Sequence, residues 1–543
     1  MTLDITQSPP SEAFEAAADI VQPNRDDVIY PVEPKFVVTY YDNAYNPLGE
    51  ITDYLSATVT FKRNNVGTGT IVVKGNDPCV PYVLRATETV VPITVTVNGL
   101  RWSGRVDTWD DDIVDGLATV TLQLQSDWQW LFRMLVWPNP FLPIQIQFPK
   151  ESIYIGPAVT CCEVMVFEQC IRLQLGLWEI VNNIFDPAAW FATAIEGAGL
   201  LTPVAVVPGN ALTDTSKWVA VTARMVPAGT LIQQICKDNG VDARVELWLP
   251  GEPQPTDLYT LTEPTIVASF RDKSGVQGPT GTFLDGLIEV AFDLLNSVYQ
   301  EVISPFINSP YAPPGVDLSA IFGIHYTKPW LVFMPDNPRS GVKECKTTGH
   351  HPLAHTVVGG GKSPSWVNKL IDTLLELLLS EILAALGASG IAPTLLDGIL
   401  DDVFLAFQEI ENAPRRFALG RYAYPEIFTS TGSTAYTLEE LFALENQMWE
   451  SRGYTTSQLT FYDGTPYSLG VDLNIGDLAS WIRRGVLYTD YVEEATATDD
   501  RTKRVEVTAV VGDGKSKDSP FAILQRRLAG FEAAMQIALL SQN

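Results

Sequence analysis

At both ends of the chain, apolar and polar residues alternate with period two over short runs, the signature of half-buried strands. Ser56-Ala57-Thr58-Val59-Thr60-Phe61 and Ala118-Thr119-Val120-Thr121-Leu122-Gln123-Leu124 alternate cleanly, and Phe36-Val37-Val38-Thr39-Tyr40-Tyr41 is β-branched and aromatic. The run at 91–97 stops at Asn98-Gly99, a hairpin turn signal, and 101–106 supplies the returning strand. Residues 36–126 thus predict a β-barrel-like domain of short antiparallel strands. Runs at 458–461, 471–477, 486–492 and 503–511 predict a second barrel-like domain within 413–515. A closing amphipathic helix is expected over 521–540, within a terminal segment 516–543.

Between these ends the period changes. Residues 127–270 predict an α+β domain. Its expected parts are a helix with Trp128, Leu131, Phe132 and Leu135 on one side, a short helix over 231–239 and a strand over 243–249. Residues 271–365 predict a helix followed by a β segment. That helix, 283–303, carries a polar stripe at Asp285, Glu289, Asp293, Asn296 and Gln300, and Thr282 with Asp285 imitates a capping box. Residues 366–412 predict an apolar helical hairpin, with a turn at 387–393 and a second helix over 394–410. Its apolar positions are Trp366, Leu370, Leu374, Leu378, Ile382, Leu386, Leu396, Leu400 and Phe404, the candidate interaction surface of the chain. Residues 1–35, punctuated by Pro9, Pro10, Pro23, Pro31 and Pro34, predict an extended arm. The fold class expected is α+β, β-rich and multi-domain, with small antiparallel β-barrels at both ends and inserted α/β and Leu-rich helical segments.

Composition narrows the function. The 543 residues carry 36 Lys+Arg against 64 Asp+Glu, a net charge of −28. Specific binding to a nucleic-acid backbone needs a basic footprint and is not expected. Hydrophobic residues make up 46% and charged residues 18%, which excludes disorder for most of the chain. Six cysteines occur without a CxxC, so reduced, partly buried thiols are expected. The first ten residues lack a basic segment and an apolar run, and synthesis in a reducing cytoplasm is expected.

Candidate chemistry is sparse. Cys345, His350, His351 and His355 cluster within eleven residues, but their spacing fits no zinc finger, and an exposed loop leading into a strand is expected. Gly359-Gly360-Gly361-Lys362-Ser363 fails as a phosphate loop because Thr356 stands where its first glycine belongs, so a turn is expected. Asp110, Asp111, Asp112 and Asp115 read as a solvated hairpin tip. No catalytic residue, metal or cofactor is predicted. From Ile382 to Leu396 no residue is charged, yet Glu381 and Asp397 keep the stretch shorter than the roughly 20 residues of a membrane span. Four roles fit it: a domain core, an oligomer interface, a lining against another apolar protein, or a hairpin that stays packed until it meets a bilayer.

Several segments, in order along the chain, carry a resemblance. They are Arg271-Asp-Lys-Ser-Gly275 with 281–286, His355-Thr-Val-Val-Gly-Gly-Gly-Lys-Ser-Pro-Ser-Trp-Val-Asn368, Phe461-Tyr-Asp-Gly-Thr-Pro-Tyr467 and Val471-Asp-Leu-Asn-Ile-Gly-Asp477. From about residue 35 onward the chain resembles the large minor tail proteins of long-tailed phages of actinobacteria, those similar to baseplate hub proteins. The resemblance implies a structural virion protein at the tail tip, a homotrimer below the tail tube that supports assembly and closes or gates the DNA channel. It implies as neighbours a distal tail protein ring, the tape measure protein and tail fibre or receptor-binding proteins. DNA would pass without specific binding, and the apolar hairpin adds the host membrane as a contact. The competing expectation is a tail-associated cell-wall hydrolase, for which paired carboxylates are abundant enough in composition.

Overall fold

The computed structural model describes residues 36–175, 203–298, 319, 323–360, 407–429 and 438–540, apart from positions 98, 328, 330, 339, 465, 466, 503, 504, 516 and 517. The expected N-terminal arm lies outside the described residues.

The first β-rich region forms seven strands: β1 (Phe36–Tyr41), β2 (Pro47–Glu50), β3 (Ser56–Lys62), β4 (Thr68–Lys74), β5 (Pro92–Val97), β6 (Leu100–Val114) and β7 (Leu117–Ser126). Alternation decides which face of each strand is buried. In β3, Ala57 and Val59 are sealed in the core, whereas Thr58 and Thr60 face Thr498 and Thr496 of another strand. The β5–β6 hairpin turns at Gly99, whose φ of +83° suits a glycine.

An inserted unit follows. It contains β8 (Leu135–Val136), β9 (Ser152–Pro157), helix α1 (Ala158–Leu175), β10 (Val204–Val206), β11 (Trp218–Ala223), β12 (Val226–Pro227), helix α2 (Ala228–Asn239), β13 (Val241–Trp248) and β14 (Thr265–Asp272). The helix expected around Trp128 spans only Gln129–Arg133. Met134 is extended, and Leu135 leaves the helix to pair with Pro227, so its side chain is exposed rather than on the buried side with Leu131. Helix α2 ends at Gly240, which is left-handed (φ +71°) and returns its N–H to Cys236 O. A Cβ there would also meet Ser274 Cα at 2.8 Å. Cys161, Cys162, Cys170 and Cys236 sit in this unit's core as free thiols. Asn64, just after β3, ties the unit to the first β region. Its side chain donates to Val241 O (2.9 Å) and accepts from Ala243 N (2.7 Å), as a paired strand would.

After the inserted unit come β15 (Val276–Gln277), α3 (Leu284–Val298), β16 (His325–Tyr326), β17 (Val332–Phe333), β18 (Val342–His350), β19 (Thr356–Gly360), β20 (Phe407–Glu411), α4 (Ala413–Leu419), β21 (Glu426–Thr429), α5 (Leu438–Glu450), β22 (Tyr454–Tyr462), β23 (Leu478–Arg483), β24 (Val486–Asp499), β25 (Glu506–Val511) and α6 (Pro520–Leu540). The helix expected over 394–410 does not reach its predicted end, because Phe407–Glu411 is a strand antiparallel to β19. Its residues alternate there, with Phe407, Glu409 and Glu411 exposed, and Ile410 packs with Val357. Helix α4 then starts on an Asn412 cap, whose side chain accepts from Arg415 N at 2.9 Å.

The β-rich ends of the chain meet in one thirteen-stranded sheet, whose path runs β18-β22-β25-β24-β3-β4-β7-β6-β5-β1-β2, with β17 and β23 attached beside β24. The seam is β3 against β24, in register from Ala57↔Asp499 to Lys62↔Glu494. One apolar core crosses the seam and contains Trp102, Ile71 and Leu122 from the first end with Phe333, Phe461 and Trp481 from the second. Period-two alternation fixes the buried face of a strand but not its neighbour, and so this seam was not visible in the sequence.

Candidate functional site

Helix α3 turns the first part of its polar stripe inward, whereas Asp293 is half-buried and the side chains of Asn296 and Gln300 lie outside the described residues. Asp285 and Glu289 are 0% and 1% exposed, whereas Leu284 is 46% exposed. Close docking enforces this orientation. A Cβ on Gly286 would lie 2.0 Å from Ser216 O, and Trp218 Nε1 donates to Phe283 O at 2.9 Å. The Asp285 carboxylate accepts from Thr280 N, Thr280 Oγ1 and Gly281 N at 2.7–2.9 Å. The expected box between Thr282 and Asp285 is therefore replaced by a cap on the loop before it, because the Asp285 carboxylate is taken up by Thr280 and Gly281. Lys217 Nζ lies 2.6 Å from Asp293 Oδ2, which Arg527 of α6 also reaches at 3.1 Å. Among the described residues, neither Glu289 oxygen has a hydrogen-bond partner. Burial raises the Glu289 carboxyl to about 7, opposed by Lys217 and reinforced by Asp272, Asp293 and Asp285. The stripe is a structural charge cluster at the junction of α3, α6 and the inserted unit. Lys217 and Arg527 are too far away in sequence to have been assigned to it.

A cavity of about 380 Å³ opens between Arg101 of β6 and Glu163, Glu246, Trp248, Glu252 and Arg271 of the inserted unit. Glu163 accepts from Gly209 N–H at 2.8 Å, and burial raises its carboxyl to about 7. Arg101 pairs directly with Glu252, and both line the cavity. The geometry offers one protonatable carboxyl beside paired charges.

The Cys345 and histidine cluster is dispersed by its strand. Cys345 lies in β18 opposite Leu459, His350 stacks on Tyr454 with ring centroids 4.3 Å apart, and His355 Nδ1 is 2.9 Å from Thr356 Oγ1. Among the described residues, no group of three or more His, Cys, Asp or Glu is placed to hold a metal ion. Gly359 and Gly360 lie in strand β19 rather than in a turn. Gly359 is needed for packing, since a Cβ there would meet Glu440 Oε1 at 2.5 Å and Leu444 Cδ2 at 2.6 Å on α5.

All nine apolar positions of the predicted hairpin, from Trp366 to Phe404, lie outside the described residues. What flanks them is a small sheet, β20-β19-β21, in which Gly360 pairs with Phe407. The chain therefore leaves and re-enters this sheet at adjacent points. Phe407, Phe417, Tyr422, Tyr424 and Phe428 are exposed on this unit. Among the described residues, no helix is long and apolar enough to cross a membrane.

Asp110, Asp111, Asp112 and Asp115 occupy the end of the β6–β7 hairpin, as the sequence predicts. Ile113, Val114 and Leu117 are exposed between them.

The family described as Siphovirus ReqiPepy6 Gp37-like protein matches residues 37–513. The chain belongs to this family. The minor tail proteins Gp28 of Mycobacterium phages L5 and D29 are 27% and 26% identical to it over 463 residues, covering 75% of this chain and 77% of each relative. Among solved structures it is similar to the tail protein from Neisseria meningitidis MC58, with 10% identity and a TM-score of 0.36. That match covers 90% of this chain and 99% of the other. The prophage MuSo2 43 kDa tail protein from Shewanella oneidensis matches with the same identity and coverage and a TM-score of 0.38.

Proposed function

We propose that this protein is a structural component of a phage tail, acting as the hub of the tail tip. Its membership of a siphovirus tail family over most of its length supports the tail assignment. The observation that carries the hub reading is the β3–β24 seam. It fuses strands from both ends of the chain into one sheet over one core, as a scaffold that must transmit position between neighbours requires. In this reading three copies form a ring that joins the tail tube to the tip, supports assembly and closes or gates the DNA channel. The neighbours are a distal tail protein ring, the tape measure protein and tail fibre or receptor-binding proteins. The net charge of −28 suits a channel wall that DNA passes without sticking. Buried free thiols suit synthesis in the host cytoplasm before incorporation into the virion.

The test is quantitative mass spectrometry of purified virions with immunogold labelling. Three copies per particle and label at the tail tip are expected. Six copies, or label along the tube, would remove the hub reading.

A second part of the reading concerns residues 366–410. The uncharged run from Ile382 to Leu396 supports a membrane-seeking role during genome entry. Liposome flotation of the full chain tests it: co-flotation is expected, and loss of flotation on replacing Leu374, Leu378 and Ile382 by Ser ties it to this segment. A chain that stays with the soluble fraction assigns the run to protein contacts.

A further inference from the structure

Two hairpins of the thirteen-stranded sheet end in exposed apolar residues with opposite flanking charge. The first is β6–β7, paired out to Val114↔Leu117. From Asp110 to Val114 every β6 side chain is exposed; β4 stays paired to β7 as far as Lys74↔Thr119, and the last two pairs, Ile113↔Ala118 and Val114↔Leu117, project past it. Its tip presents Ile113, Val114 and Leu117 among Asp110, Asp111, Asp112 and Asp115. Among the described residues none of these four aspartates pairs with a basic side chain. The second is β23–β24, paired out to Arg483↔Val486. Its tip presents Val486 and Leu487 beside Arg483 and Arg484. Arg483 is held by Asp336, whereas Arg484 is exposed and forms no ion pair among the described residues. The five apolar tip residues are between 45% and 74% exposed.

Both tips are tight turns with two left-handed central residues, Asp115-Gly116 (φ +51° and +80°) and Arg484-Gly485 (φ +49° and +76°). Aspartate is an ordinary first residue of such a turn and arginine is not, so a turn requirement does not explain Arg484. The hairpins also leave the sheet at opposite ends. Lys74 pairs with Thr119, so the acidic tip projects past the Lys74 end of β4. Lys62 pairs with Glu494, so the basic hairpin continues past the Lys62 end of β3. Strands β3 and β4 are antiparallel, with Thr60 opposite Thr68 at the Lys62 end, which puts the two tips on opposite sides of the pair.

We propose that the acidic, apolar tip of the β6–β7 hairpin docks on the basic, apolar tip of the β23–β24 hairpin of a second copy of this chain. The tip leaves Ile113, Val114 and Leu117 exposed to water, and a surface complementary in charge and apolar character is carried by the chain itself. Because donor and acceptor tips point in opposite directions, the contact is head-to-tail, the kind that closes into a ring when the rotation between copies allows. Opposite charge around a small apolar centre sets orientation and register. The proposal deepens the hub reading above, for which it supplies a contact between ring members.

The test uses the full chain, with mass measured by sedimentation across concentration at low and high salt. Asp111→Lys/Asp112→Lys and, separately, Arg484→Glu are expected to weaken self-association at least tenfold. The chain carrying all three changes is expected to return to within about threefold of the original. Added salt is expected to weaken only the chains with complementary tips. Near-ultraviolet circular dichroism checks that each variant is folded; Ile113→Ser/Leu117→Ser, which leaves charge unchanged, must also weaken association. Chains reversed at one tip alone that associate as strongly as the original would overturn the hairpin contact and leave a ring built through other surfaces. An original chain that stays single at all concentrations would also overturn it. Failure of the hub reading is separate, seen as label away from the tail tip in virions while the charge-swap pattern holds.

Discussion

The Tyr54 hydroxyl donates a 2.6 Å hydrogen bond to Asp499 Oδ2, a buried contact between residues 445 apart in sequence. It closes the β3–β24 seam at its Asp499 end, where Arg501 also stacks over the Tyr54 ring at 3.8 Å. Removing the hydroxyl leaves a buried carboxylate short of a donor. Tyr54→Phe is expected to lower stability by about 1–3 kcal/mol, read from the urea midpoint. The two β-rich ends share a core, so fluorescence changes from Trp102 and Trp481 should coincide in that transition. Two separate transitions would show that the seam does not couple the ends.

Glu289 makes stability depend on pH in a definite direction. Its folded carboxyl is raised to about 7 from an ordinary value of 4.5. Between these pH values the folded chain holds a proton that the unfolded chain has released. The contribution of this group therefore makes stability fall as pH rises from about 4.5 to 7, with the loss complete above that window. Glu163 acts in the same direction. Glu289→Gln is expected to flatten the pH dependence in this window and to raise stability at pH 8 by about 1–3 kcal/mol. Denaturation series at pH 5, 6, 7 and 8 check it; an unchanged slope would mean that Glu289 does not retain its proton there.

Helix α6 returns from the end of the described chain to lie on β11 of the inserted unit. A Cβ on Gly530 would meet Ala220 O at 2.3 Å, a backbone atom that cannot swing aside. Gly530→Ala is expected to push α6 away and to cost about 1–3 kcal/mol despite the better helix propensity of alanine. Faster proteolytic removal of 520–540 and a lower melting temperature are the readouts. Unchanged values would place α6 farther from β11 than described.

Thiol accessibility separates the six cysteines. Cys79, Cys161, Cys162, Cys170 and Cys236 are buried, and Cys345 is half-buried. Burial pushes the Cys161 and Cys170 thiols up to about 12 and also raises Cys345, though from a more open position. Mild alkylation at pH 8 should modify Cys345 first, with the other five protected until unfolding. Peptide mass mapping gives the order, and early labelling of Cys162 would contradict the packing of α1 against α2.

By itself the sequence determined most of the strand runs and their buried faces, the Asn98-Gly99 hairpin, the α2–β13 pair and the acidic tip at Asp110–Asp115, but the expected run at 471–477 forms turns rather than a strand. Each depends on side-chain periodicity or turn chemistry within a few residues, which local sterics dictate. It also carried the family, through segments whose order persists along the chain. The tertiary structure alone decided where the periodic elements went. Asp285 and Glu289 form a stripe that could face solvent or a charged partner with equal periodicity, and the close docking of Gly286 on Ser216, from another element, turned it inward. Phe407–Glu411 reads as the end of a helix in isolation and becomes a strand because β19 offers an open edge beside it. The β3–β24 seam likewise depends on backbone pairing between distant residues, which no local pattern encodes.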